Sequence, residues 1–513
     1  MITGQNLVGG LWESNASKKI FQTANPKTKE YLTPMFQEAT TEQVTLAVEK
    51  AAAAFETYAA TSFEQRAELL KAIQDEIKQK DTEILATYQA ESALPEGRAK
   101  GELQRTLDQI ERFIELLKDG SFSHATIHTQ GPDLRKMLFP MGPIVVFGAS
   151  NFPLAFSTAG GDTISALAAG CPVVVKAHPY HAGTSELVAQ AIHSALKNRG
   201  LPLSIFSHLG GQSHAVGSVL VTHAKVKGVG FTGSFFGGKA LYDLAQKRSE
   251  PIPVFAEMGS INPIFILEHK LKSDENLAAN LASSVTLGTG QFCTNPGVII
   301  ICDPSKETSL IRRMHEEIRK MELPPMVHAN IELKFKEQIA ELTARGKEVE
   351  YYSSDKNHAV IGVVSAAHFI ENSSLSEEVF GPFSLVVHCH SLEEMVAVAE
   401  GLKGQLTATL LSSPEDQKAL QLLLPKVQTK VGRVLFEGVP TGVAVTQAMQ
   451  HGGPYPATTD SRFTSVGSDA IYRWLRPLAF QDCPNELLPL ALKKENPLEI
   501  QRRVNGVLTT EAV

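Results

Sequence analysis

The chain has 513 residues, of which 43% are hydrophobic and 20% are charged, so it is long enough to form two or three domains. Its formal charge of -7, from 48 Lys and Arg against 55 Asp and Glu, provides no general basic field for phosphate backbones or anionic lipid. We therefore expect neither nucleic acid nor a membrane as a partner.

The five cysteines are scattered and include no C-x-x-C pair, which argues against a disulfide framework or a zinc ribbon. The segment HCH at 388–390 is predicted to lie on a strand, where neighbouring side chains face opposite sides, so we expect no metal there or elsewhere. The first residues lack a secretory leader, and no run of about 18 apolar residues occurs. These features predict a cytoplasmic protein in a reducing compartment.

The first predicted elements are helices between residues 40 and about 93. Thr40 with Gln43, and Ser62 with Gln65, have the spacing of capping boxes, and apolar residues then recur at helical intervals. A further amphipathic stretch ends at Gly120, which suits a helix C-terminus.

Short apolar runs then alternate with helical patterns, which is typical of β-α-β units in a doubly wound parallel sheet. The predicted strands are IVVF (144–147), VVVK (173–176), SIFS (204–207), VGF (229–231) and PVFAE (253–257). A second α/β section follows from about residue 260 to 467. Residues 472–484 have the pattern of an extended segment. Residues 123–139 are predicted to form a hairpin that matches it.

Cys293 lies in GQFCTNPG, between a Gly-rich entry and an Asn-Pro-Gly exit. A free cysteine is often a small buried hydrophobe, and that structural interpretation stands beside the functional one. A reactive cysteine needs partial access and surroundings that favour the thiolate, which the backbone N–H groups of such a turn can provide.

Three other segments follow predicted strands. Glu257 closes a strand in FAEMGSINP, where a carboxylate can activate water, although a solvated strand end would look the same. Asn151 follows the first strand in FGASNFPLAF, where its amide can donate to an oxyanion or only form a turn. Gly233 and Ser234 precede a helix in GFTGSFFGGKAL, a place for a pyrophosphate, although a lone Gly pair is weak evidence.

The ordered set of these motifs resembles the aldehyde dehydrogenase superfamily. The matching segments are Asn151 before Phe-Pro, the strand lysine Lys176, FTGS (231–234), EMGSINP (257–263), GQFC (290–293) and EVFGP (378–382). The resemblance runs from near the start to about residue 485. It implies that Cys293 is the nucleophile, that Asn151 and the Cys293 N–H hold the oxyanion, and that Glu257 activates the hydrolytic water.

The resemblance also implies a nicotinamide dinucleotide cofactor. Its site would be formed by Lys176, His178, Pro179, Gly233, Ser234, Gly238, Lys239, Glu378 and Phe380. Pro179 stands where NAD-preferring relatives often carry a glutamate, and nearby cations can approach a 2'-phosphate. NADP is therefore expected, with NAD possible.

The segments 102–113 and 436–467 resemble ketoglutarate semialdehyde dehydrogenases, also called 2,5-dioxovalerate dehydrogenases. This resemblance implies a semialdehyde with a distant carboxylate as substrate. Its expected contacts are Arg105, Gln109, Phe152 and Arg462, although both arginines could equally be structural. The alternatives are a fatty or broad-specificity aldehyde dehydrogenase and a non-catalytic nucleotide-binding protein of the same fold.

The resemblance implies the fold class α/β, with two doubly wound α/β domains and a β-hairpin oligomerisation arm. Residues 1–122 and 144–258 would form the cofactor-binding domain, and 259–467 the catalytic domain. Residues 123–143 and 468–490 would form the arm, and 491–513 a C-terminal tail. A homodimer or homotetramer is expected.

Overall fold

The computed structural model describes residues 1–15, 19–304, 309–345, 348–354 and 358–513. Within these ranges, the strands form two seven-stranded sheets, one five-stranded sheet and one two-stranded sheet. Each seven-stranded sheet is covered by helices, as the predicted α/β class requires.

The first sheet contains the five predicted parallel strands. Its strands, in spatial order, are Val254–Glu257, Gly228–Thr232, Ile144–Phe147, Val173–Lys176, Phe206–Leu209, Asn6–Val8 and Leu11–Glu13. The last two form a hairpin that pairs antiparallel with Phe206–Leu209. The prediction of a strand at 204–207 was two residues early, because a short 3-10 turn after Pro202 occupies Leu203–Ile205.

Eight helices surround this sheet in the described residues. They are Thr41–Ala59, Phe63–Gln79, Asp81–Ser92, Glu96–Asp119, Gly161–Ala169, Ala182–Asn198, His214–Thr222 and Phe235–Gln246. Both predicted capping boxes are confirmed, and Gly120 ends its helix at φ 68°. The helix Gly161–Ala169 is buried along its whole length. Full burial of an aliphatic side chain such as Ile164 contributes about 1.5–3 kcal/mol.

The second sheet is formed by residues 264 to 436. Its strands, in spatial order, are Glu350–Ser353, Val360–Ser365, Phe383–Cys389, Val298–Cys302, Ile264–Ile266, Gln405–Leu411 and Val431–Phe436. All adjacent pairs are parallel except the first. Its helices are Glu268–Ser273, Leu277–Thr286, Leu310–Lys320, Ala329–Arg345, Ala366–Glu371, Leu392–Gly401 and Gln417–Gln428.

The arm is a five-stranded sheet. Its strands, in spatial order, are Leu475–Gln481, Leu134–Pro140, Thr126–His128, Arg502–Val504 and Val507–Thr509. The last two of these strands come from the predicted C-terminal tail. The buried Arg135 side chain secures this junction, since its Nη1 donates to the carbonyl of Leu492 over 2.6 Å.

The remaining elements are short. Ile20–Phe21 pairs antiparallel with Phe36–Gln37. The 3-10 turns not yet named are Ser121–Ser123, Pro179–His181, Leu287–Gly290, Ser373–Ser376, Pro414–Asp416, Ser468–Trp474, Asn485–Leu487 and Leu490–Leu492. Across the described ranges, no helix has the length and apolar character needed to cross a membrane.

Candidate active site

A cavity of about 310 Å³ lies between the two α/β domains at the carboxyl ends of the first sheet's parallel strands. We call it the interdomain cavity. The residues that line it include Asn151, Phe152, Gly233, Ser234, Glu257, Cys293, Lys334, Glu378 and Phe380. The fold thus brings the three predicted catalytic residues to one cavity with several of the predicted cofactor residues.

The loop that carries Cys293 is shaped by a glycine. Gly290 has φ 68°, and a Cβ added there would lie 2.1 Å from the carbonyl oxygen of Gly381. Only glycine allows this approach, which packs the GQFC motif against the EVFGP motif. The buried Asn262 then fixes the loop, because its Nδ2 donates to the Cys293 carbonyl over 2.8 Å.

Cys293, His451 and Glu257 form a compact cluster. His451 Nε2 lies 3.4 Å from Cys293 Sγ and 3.0 Å from Glu257 Oε1. The Ser465 hydroxyl donates to the other carboxylate oxygen, Oε2. His451 and Glu257 are buried, whereas Cys293 is partly exposed to the cavity.

The electrostatics of this cluster favour a neutral thiol beside an ionised carboxylate. Burial raises the pKa of the Cys293 thiol well above its usual range, and Glu257 adds to the rise while Arg105 opposes it. Burial also acts to raise the pKa of Glu257, but His451 and the Ser465 hydroxyl outweigh it and hold that pKa below its ordinary value.

One expectation from the sequence therefore needs revision. The surroundings of Cys293 favour the thiol, because burial disfavours the thiolate and the negative charge of Glu257 is close. The pKa of Glu257 lies below its ordinary value, because His451 and the Ser465 hydroxyl stabilise its charge. A reaction at Cys293 consequently needs a proton acceptor, and the cluster contains two.

The Asn151 turn is held by the helix Glu96–Asp119. Asn151 Nδ2 donates to the Gln291 carbonyl over 3.0 Å, which ties the turn to the Cys293 loop. Glu102 Oε1 accepts from the N–H groups of Leu154 and Ala155 at 2.8 and 3.0 Å. The Glu102 carboxylate thus holds the backbone of the turn three and four residues after Asn151.

The cofactor residues of the FTGS motif lie at a helix N-terminus. The Ser234 side chain accepts from the Gly237 N–H over 3.3 Å and caps the helix Phe235–Gln246. Gly238 is buried against Met258, and a Cβ there would approach the Met258 Cγ to 2.7 Å. This close packing and the exposed helix start suit a bound pyrophosphate.

The strand lysine lies beside the same end of the sheet. Lys176 Nζ donates to the Gly211 carbonyl over 2.6 Å, and burial lowers its pKa to about 8. His178 caps the turn that starts at Pro179, accepting from the Tyr180 N–H over 3.3 Å. None of Lys176, His178 and Pro179 lines the interdomain cavity itself.

Lys239 and Glu378 differ in their surroundings. The Lys239 ammonium is bound to Asp243 at 2.6 Å on the outer face of its helix, and it does not reach the cavity. Glu378 lines the cavity against Gly259, where a Cβ would lie 2.4 Å from Glu378 Oε2. Burial raises the pKa of Glu378 to about 7.

Of the four predicted substrate residues, Phe152 lines the interdomain cavity. Arg105 and Gln109 line a smaller cavity that shares Phe156 with it, and the Arg105 guanidinium lies 5.1 Å from the Phe156 ring centroid. Gln109 also exchanges hydrogen bonds of 3.5 Å with the backbone of Gly467. Arg462 lies outside the site, because its side chain is 79% exposed and ion-paired with Asp460.

The sequence reasoning missed His451, Ser465 and Arg98. The Arg98 guanidinium lies between the rings of Phe152 and Phe292, at 4.5 and 4.3 Å from their centroids. His451 precedes two glycines in QHGGP, and this motif was the only sequence signal for it. The residue lies 158 positions from Cys293, so the sequence did not indicate the contact between them.

Comparisons with known proteins concern the family and the fold. Residues 12–455 match the model of the aldehyde dehydrogenase family. The alpha-ketoglutaric semialdehyde dehydrogenase 2 of Azospirillum brasilense is 41% identical over 98% of this chain and 99% of its own. The alpha-ketoglutaric semialdehyde dehydrogenase of Acinetobacter baylyi is 43% identical over 93% of each chain. The fold resembles betaine aldehyde dehydrogenase from Staphylococcus aureus, solved with NAD+, at TM-score 0.81 and 19% identity over 94% of this chain and 95% of that one.

Proposed function

The chain belongs to the aldehyde dehydrogenase family, and from that premise we propose that it oxidises 2,5-dioxopentanoate to 2-oxoglutarate with NADP. The cluster of Cys293, His451 and Glu257 at the interdomain cavity carries the proposal, because it joins a nucleophile to two proton acceptors. The names of the two relatives above 40% identity support the substrate.

Cys293 forms the covalent bond with the aldehyde. The thiol gives its proton to His451, whose Nε2 lies 3.4 Å from the sulfur, and the sulfur attacks the carbonyl carbon. The Asn151 amide and the Cys293 N–H stabilise the oxyanion that results. Asn151 has a second N–H for this purpose, since one already binds the Gln291 carbonyl.

The residues around the helix start at Ser234 fit a dinucleotide. The helix start offers N–H donors to a pyrophosphate, and Glu378 and Lys176 are placed by their motifs for the ribose hydroxyls. When bound, the dinucleotide supplies the hydride acceptor of the oxidation. Glu257 then takes a proton from the water that hydrolyses the thioester on Cys293.

The preference for NADP rests on the local charge. Pro179 supplies no carboxylate to repel a 2'-phosphate, and the Lys176 ammonium lies close by on its strand. His178 adds little charge, because burial lowers its pKa well below its usual range. Lys239 is engaged by Asp243 and does not contribute. Lys176 is therefore the main determinant.

The far carboxylate of the substrate needs a cation in the buried wall of the site. Arg105 is suited to this role, because its guanidinium lies beside Phe156, which lines the interdomain cavity. Phe152 and Phe156 supply the apolar wall beside the carbon chain.

The catalytic assignment is tested with Cys293→Ala and Glu257→Gln. Cys293→Ala should abolish oxidation and retain cofactor binding in a fluorescence titration. Glu257→Gln should leave an initial burst of reduced cofactor and slow the steady state, because only hydrolysis is lost. A steady-state rate that is unchanged in either variant would contradict the role assigned to that residue. If the wild type oxidised none of the aldehydes tested, the non-catalytic alternative would be favoured.

The substrate is tested with Arg105→Gln, for which Arg462→Gln is the matched control. Loss of a charged hydrogen bond of about 1.5–3 kcal/mol should raise KM for 2,5-dioxopentanoate about 10- to 100-fold and change KM for hexanal little. Arg462→Gln should change neither, since that side chain is exposed. A wild-type preference for long alkyl aldehydes would instead favour the fatty or broad-specificity alternative.

Assembly into a homodimer or homotetramer through the arm is part of the same proposal. The strand Leu475–Gln481 lies at an edge of the arm sheet, so it can pair with another strand. Sedimentation of the full chain tests this directly, and a monomer at assay concentrations would contradict it.

A further inference from the structure

We infer that Cys293, His451 and Glu257 form a reversible inhibitory site for a zinc ion. The side chains offer one sulfur, one nitrogen and one oxygen, and these three atoms all lie within 4.8 Å of one another. Thiolate, imidazole and carboxylate are the side-chain ligands that proteins use for Zn²⁺. This inference concerns an added ion, and it does not depend on the proposed substrate.

The spacing of the donors suits a tetrahedral ion. With zinc–sulfur and zinc–nitrogen or zinc–oxygen bonds of about 2.3 and 2.0–2.1 Å, tetrahedral donors stand about 3.3–3.6 Å apart. The sulfur–nitrogen distance is 3.4 Å, and the nitrogen–oxygen distance is 3.0 Å. These two distances lie within a few tenths of an ångström of the tetrahedral values, and the sulfur and the oxygen lie within 4.8 Å of each other.

The surroundings of Glu257 also suit a cation. Its Oε2 accepts from the Ser465 hydroxyl, whereas its buried Oε1 is paired with His451, which is itself one of the three proposed ligands. A carboxylate held from one side presents its second oxygen to an ion, as ligands supported by neighbouring donors do. This oxygen faces the nitrogen of His451 across 3.0 Å.

Charge and access also favour the ion. Binding replaces the proton of the Cys293 thiol with Zn²⁺ and releases that proton to solvent. The two positive charges of zinc then match one thiolate and one carboxylate, so the buried cluster is neutral. Cys293 and Glu257 both line the interdomain cavity, which gives the ion an entry path.

The consequence is a blocked enzyme. The sulfur that attacks the aldehyde and the carboxylate that activates water are both held by the metal. Zinc should therefore inhibit by removing the nucleophile, and a chelator should restore it.

The test uses the full chain with zinc buffered by nitrilotriacetate and with Co²⁺ as a spectroscopic probe. One zinc per chain should protect Cys293 from iodoacetamide, as measured by peptide mass analysis, and chelation should reverse the protection. Cobalt should give a thiolate-to-metal charge-transfer band in the near ultraviolet. Alkylation of the wild-type Cys293 at the same rate under saturating zinc would overturn the inference without affecting the proposed function.

Variants identify the ligands. Cys293→Ser should remove the cobalt band, and His451→Gln should weaken zinc binding on the order of 100-fold in a competition titration. The matched control is Cys483→Ser, because Cys483 is also partly exposed but lies in the arm segment, and it should leave the band unchanged. A band that persists in Cys293→Ser, or that disappears in Cys483→Ser, would place the metal elsewhere and refute the site.

Discussion

Ser465→Ala removes the hydroxyl that donates to the buried carboxylate of Glu257. A hydrogen bond to a charged group contributes about 1.5–3 kcal/mol, and one pKa unit corresponds to about 1.36 kcal/mol. The loss should therefore raise the pKa of Glu257. Since this pKa now lies below its ordinary value, its carboxylate should become protonated at a higher pH in the variant.

The assay is the pH dependence of kcat under conditions where thioester hydrolysis limits turnover. Glu257 accepts a proton only when ionised, so the acidic limb of the profile should move to higher pH in the variant. Ser218→Ala, on the helix His214–Thr222, is the matched control and should leave the limb in place. An acidic limb that does not move in Ser465→Ala would refute the reasoning that the hydroxyl sets the charge state of the base.

Three further predictions concern the cofactor and the nucleophile loop. Burial lowers the pKa of Lys176 to about 8, so the Kd for NADP should rise as the pH passes above that value, and Lys176→Ala should remove the dependence in a fluorescence titration. Burial raises the pKa of Glu378 to about 7, so cofactor binding should tighten as the carboxylate ionises and accepts ribose hydroxyls, and Glu378→Gln should show no such inflection. Gly290→Ala places a Cβ against the Gly381 carbonyl and should lower kcat on the order of 100-fold, because the loop is displaced. The control is Gly200→Ala, which has a similar φ of 64° but lies in open space and should retain the wild-type kcat. Equal losses in the two glycine variants would show that backbone strain, not the contact, is responsible.

The sequence predicted the parts of the fold that are encoded locally. The parallel strands of the first sheet were identified because short apolar runs alternate with helical patterns, and the helix starts at Thr40 and Ser62 because each cap is complete within four residues. The strand at 206–209 was displaced because a 3-10 turn has no strong sequence signal.

The sequence did not predict the parts of the site that are formed by contacts between distant segments. His451 and Ser465 reach Glu257 across 194 and 208 positions, and neither lies in a motif with an evident chemical role. The sequence supplied two arginines for a substrate carboxylate, but side-chain direction cannot be read from residue type. Arg462 turns outward to Asp460, and Arg98 lies among rings near the catalytic turn.

The Glu102 carboxylate couples the position of the Asn151 turn to that of the helix that carries Arg105. It accepts two N–H groups of the Asn151 turn, and it lies on the same helix as Arg105, three positions earlier. A change that tilts or shifts this helix to accept a different aldehyde also moves the support of the oxyanion donor. New specificity should therefore evolve more readily through the side chain of Arg105 or the aromatic wall than through repacking of the helix. Exchanging this helix with that of a relative should transfer substrate preference only when the Asn151 turn is exchanged with it.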